Sequence, residues 1–75
     1  MISKEQAQRL AVQHVQGLDL RGYRYELVEV ACREKFPDEW DVVFDVYTPS
    51  GNLMDGPVVL VVEKATGKVR DIEPS

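Results

Sequence analysis

The chain has 75 residues, a net charge of −4, a hydrophobic share of 44% and a charged share of 29%. That length supports one small core and one domain, 1–75, with roughly 3–5 kcal/mol of stability in the absence of a staple. The acidic balance argues against general nucleic-acid binding, which needs clustered Lys and Arg, and no apolar run approaches the ~20 residues of a membrane span.

Met1-Ile2-Ser3-Lys4 leads into a polar helical pattern rather than an apolar leader, so the cytoplasm is the expected compartment. Ser3 and Gln6 have the spacing of a capping box, with Ile2 ahead of the cap and Ala7 at the staple position. Ala7, Leu10, Ala11, His14, Val15 and Leu18 then recur as one stripe of an amphipathic helix. Gly17 is expected to end it in the left-handed conformation, giving a helix over Lys4 to Gln16.

Asp19 to Gly22 reads as a polar connection. Tyr23 to Arg33 reads as a first strand, with Tyr25, Leu27, Val28, Val30 and Cys32 as its apolar members. The parity switch between Leu27 and Val28 predicts a bulge or cover on both faces. A turn follows at Glu34 to Asp38.

The second strand is the clearest signal. Trp40, Val42, Phe44 and Val46 alternate with Glu39, Asp41, Val43, Asp45 and Tyr47. The even set is expected to meet the helix, and the odd set to face away from it. Thr48 to Pro57, rich in Gly and Pro, is a loop that also carries Leu53 and Met54.

Val58 to Val62 is an unbroken aliphatic run behind Gly56-Pro57, which predicts a central strand buried on both sides. A turn at Lys64–Lys68, with Gly67 free to take positive φ, leads to a last strand near Val69 to Ile72. Short connections imply an antiparallel meander. The expected fold is two-layer α+β: one N-terminal helix on a four-stranded antiparallel sheet, in the order α-β-β-β-β.

Chemical sites are sparse. Cys32 is the only cysteine, which excludes an internal disulfide and a cysteine-rich metal site. Pairing with His14 would make a nucleophile and a base, but nothing in their spacing supports it, and a small buried cysteine is the ordinary reading. Asp41 and Asp45 lie roughly 13 Å apart along a strand, too far to share an ion. Gly67-Lys68 lacks the preceding Gly and the following Ser or Thr of a phosphate loop. No enzyme, cofactor or metal site is expected.

The remaining candidate is a partner-binding surface. The uncovered sheet face should present Val43, Tyr47, Val59 and Val61, rimmed by Asp41, Asp45 and Glu63, with Leu53 and Met54 at a loop tip. An apolar centre in a charged rim is the anatomy of an interface with a basic protein or with a second copy.

Glu39-Trp40-Asp41-Val42-Val43-Phe44, Gly56-Pro57-Val58-Val59-Leu60-Val61 and Lys64-Ala65-Thr66-Gly67-Lys68-Val69 together resemble the YrhB-type immunity domains of bacteria. That resemblance implies a non-enzymatic protein that binds and neutralises a cognate toxin. Ile2-Ser3-Lys4-Glu5-Gln6-Ala7, with Thr66-Gly67-Lys68-Val69, is also similar to PepSY domains, which implies protease regulation outside the cytoplasm. Both resemblances imply binding rather than catalysis.

Overall fold

The computed structural model describes residues 1–71. One helix, α1 (Lys4–Gln16), packs on a four-stranded antiparallel sheet of β1 (Arg24–Ala31), β2 (Glu39–Tyr47), β3 (Val58–Glu63) and β4 (Val69–Asp71). The strands lie in sequence order, β1-β2-β3-β4, as the meander predicts. Ile72, expected at the end of the last strand, and Glu73-Pro74-Ser75 lie outside the described residues.

The capping box forms in full. Ser3 Oγ accepts from the Gln6 backbone N–H at 3.2 Å, and Gln6 Oε1 accepts from the Ser3 N–H at 2.8 Å. Ala7, Ala11 and Val15 are the buried residues of α1, and they meet Val42, Phe44, Leu60 and Val62 in the core. The even residues of β2 therefore do face the helix. Half-buried Trp40 sits at the rim of that core.

Gly17 departs from the expectation. Its φ is −83°, right-handed, with its N–H donating to the carbonyls of Gln13 and His14. The chain keeps winding, because the Leu18 N–H donates to the Val15 carbonyl at 3.0 Å. Reversal comes later, at Arg21 (φ 49°) and Gly22 (φ 87°), closed by the Tyr23 N–H on the Leu20 carbonyl. Two consecutive positive φ values make a primed turn, for which Gly is the favoured second residue. A Cβ added at Gly22 would also lie 3.2 Å from Pro49 Cγ, closer than ordinary van der Waals contact.

β1 is shorter than the pattern suggests. It pairs with β2 from Arg24↔Tyr47 to Ala31↔Asp41, and the register shifts between Leu27 and Glu29. Val28 is the extra residue, so the parity switch marks a bulge. Because the strand stops at Ala31, Cys32 leaves the sheet and is exposed rather than buried.

Two hydrogen bonds, one from backbone and one from a side chain, fasten the chain start to the sheet. The Ile2 N–H donates to the Lys64 carbonyl at 3.0 Å, and Trp40 Nε1–H donates to the Ile2 carbonyl at 3.2 Å. The β3–β4 turn closes with Gly67 at φ 75°, its N–H on the Glu63 carbonyl at 2.8 Å.

Candidate functional site

The sheet face turned away from α1 is assembled by three registers. Asp41↔Val61↔Arg70 and Val43↔Val59 run across it, with Glu29 opposite Val43 and Glu26 opposite Asp45 on β1. Strand pleating puts Glu39, Asp41, Val43, Asp45 and Tyr47 on this side. The expected surface residues do share it, but the face is not uniformly open.

Its upper end is covered by long side chains. Arg70, directly opposite Val61 on β4, forms an ion pair with Glu39 on β2. To reach it, the arginine stem crosses β3, and a methylene stem is itself apolar cover. Val61 is 1% exposed as a result. Arg33, two residues past the end of β1, reaches Asp41 with Nε 2.5 Å from Oδ2 and stacks over Phe36 at 4.7 Å. Asp41 is 7% exposed. The expectation of an uncovered face fails at Asp41 and Val61: one is spent on Arg33, and the other is roofed by Arg70.

The lower end remains accessible. Val43, Asp45, Tyr47 and Val59 are half-buried there. Arg24 lies over the Tyr47 ring at 4.7 Å and contacts Glu26 at 3.4 Å. Glu26 and Asp45 stand side by side across the ladder, an unfavourable like-charge pair. Among the described residues, no cation lies within ion-pair distance of Asp45 or Glu29.

Leu53 and Met54 are not a free tip. The Met54 N–H donates to the Val46 carbonyl at 2.8 Å, and Leu53 bridges Tyr47, so the loop continues the sheet where β3 has not yet begun. Alternation then separates them. Leu53, 57% exposed, joins Tyr47 on the outer face; Met54, 43% exposed, joins Val46 on the helix side. The accessible patch is thus Val43, Asp45, Tyr47, Leu53 and Val59.

His14 and Cys32 have different partners. His14 Nε2 is 3.9 Å from Asp71 Oδ1, whereas Cys32 Sγ accepts from Lys64 Nζ at 3.2 Å. Among the described residues, no three His, Cys, Asp or Glu side chains gather as a metal site would require. No described helix is long and apolar enough to cross a membrane.

Reasoning from sequence missed the reach of Arg33 and Arg70. The register of three adjacent strands was the signal that would have found Arg70, since it sets Arg70 beside Val61 and one pleat from Glu39. No family model, curated protein or solved structure matches this chain.

Proposed function

We propose that the protein is a non-enzymatic binding module that takes a basic protein partner on the lower half of its outer sheet face. The observation that carries the reading is the patch itself. Val43, Tyr47, Leu53 and Val59 supply apolar area beside Asp45 and Glu29, carboxylates with no cation of their own among the described residues. A partner offering Lys or Arg at the rim and an apolar side chain at the centre would satisfy both.

The YrhB-like motifs suggest what such a partner is: a toxin whose own substrate is anionic and whose surface is therefore basic. On that reading the chain acts stoichiometrically as an immunity protein, inside the bacterial cell that makes both. The PepSY-like alternative keeps the binding role and changes the partner to a protease.

Gene neighbourhood separates the two, since an immunity gene belongs beside a toxin gene. The decisive experiment co-expresses the chain with the neighbouring toxin and measures growth. Wild type should restore growth. Asp45→Lys with Val59→Asp, shown to be folded by circular dichroism, should not. Rescue by that variant at the wild-type level removes this face from the proposal.

A further inference from the structure

Among the described residues, β1 is paired on one side only. Its unpaired edge runs for 8 residues without Lys or Pro, guarded only by Arg24, Glu26 and Glu29 and by the bulge at Val28, so the stretch before that bulge is the part open to pairing. Its helix-side rim is apolar. Tyr23 and Leu27 are exposed, and with Val12, Val15, Leu20 and Phe44 they line a groove of 260 Å³ between α1 and β1.

The charges on this edge are self-complementary. Arg24, Tyr25 and Glu26 read basic, aromatic, acidic. An antiparallel copy related by a two-fold axis through Tyr25 sets Arg24 beside the Glu26 of the second chain, and Glu26 beside its Arg24. The same register sets Tyr23 against Leu27 of the other chain on the helix side, so both faces match. Moving the axis to Arg24 or to Glu26 brings like charges together. Beyond Leu27 the bulge at Val28 bends the strand and ends the pairing.

The arrangement also answers a local deficit. Glu26 already has Asp45 beside it on β2, and among the described residues its one ion-pair partner is Arg24 of its own strand. An arginine arriving on the open side balances that row.

We propose that a second copy of this chain docks along β1 about a two-fold axis through Tyr25, joining the two sheets into one and closing the two apolar grooves. This interface adjoins the outer-face patch, since Arg24 lies over Tyr47 and Glu26 stands beside Asp45, but it rests on the β1 edge and not on the binding reading.

The test is light scattering and sedimentation over a concentration series, with circular dichroism to show that each variant is folded. Wild type should pass from monomer to dimer. Arg24→Glu alone and Glu26→Arg alone should each lose the dimer, because each sets like charges at both contacts. Mixing those two variants in equal amounts should restore association as a heterodimer, since opposite charges then meet at both contacts. A pairing confined within one chain cannot produce that rescue. Leu27→Lys attacks the helix-side contact independently and should also give monomer. A wild type that stays monomeric at every concentration overturns the proposal. So does a dimer that survives all three substitutions, or a mixture that remains monomeric.

Discussion

The two ends of the outer sheet face are built from the same alternating strands and have opposite characters. At the upper end two carboxylates are spent inside the molecule, Asp41 on Arg33 and Glu39 on Arg70 across the back of Val61. Glu63, opposite Glu39, has no cation within ion-pair distance among the described residues. At the lower end Asp45 and Glu29 have no such partner among the described residues, and Val43, Tyr47 and Val59 keep part of their surface in solvent. What separates the ends is where the arginines reach: Arg33 and Arg70 pair with Asp41 and Glu39 over the upper end, whereas Arg24 lies over Tyr47 against Glu26 and leaves Asp45 without a cation. The upper end works as an extension of the core, while the lower end is left for contact.

Substitutions should divide along that line. The largest effect is expected at Val61, where Val61→Ala should cost about 2 kcal/mol, against under ~1 kcal/mol for Val59→Ala. Urea midpoints of the two variants check this, and equal costs would erase the distinction between the ends. Arg33→Ala comes next, at roughly 1–2 kcal/mol, because it leaves a buried carboxylate without its cation. Adding Asp41→Asn to that variant should recover part of the loss in the same assay.

Arg70 allows stem and charge to be told apart. Arg70→Ala should cost about 1 kcal/mol, and Arg70→Met clearly less, if the methylene stem over Val61 matters more than the pair with Glu39. A methionine variant as unstable as the alanine one would make the charge the operative part. The smallest effect belongs to the lower end. Asp45→Asn should leave stability within about 0.5 kcal/mol of wild type, or raise it slightly by relieving the contact with Glu26. Any gain should shrink in added salt, which thermal melts at two ionic strengths would show.

Much of the architecture was legible because local pattern and tertiary role agree. The stripe from Ala7 to Val15, the alternation from Trp40 to Tyr47 and the run from Val58 to Val62 each name an element and its buried side. The parity switch at Leu27-Val28 marked the place of the bulge, although cover on both faces would have given the same pattern. Legibility fails where a side chain's fate depends on another element. Gly17 looked like a left-handed stop, but the choice depended on the route to the Arg21-Gly22 turn. Leu53 and Met54 looked like one apolar tip, and pairing with β2 sent them to opposite faces. Val61 looked uncovered because alternation reports which way a valine points and says nothing of what an arginine on a neighbouring strand does above it. For the candidate site, four residues on β2 and β3 were readable as accessible, and the roof over the other two was not.

The tie between Trp40 and Ile2 has an optical consequence. Trp40 is the only tryptophan, and its indole is held between the carbonyl ahead of α1 and the Lys64 ammonium, 4.5 Å from its ring centre. Its emission is therefore set by the seam between the chain start and the end of β3 rather than by the middle of the core. Release of that seam would change the emission while the ellipticity of α1 persisted. A fluorescence melt that precedes the ellipticity melt would mean the chain start loosens first. Coincident melts would mean that helix, strap and sheet come apart as one unit.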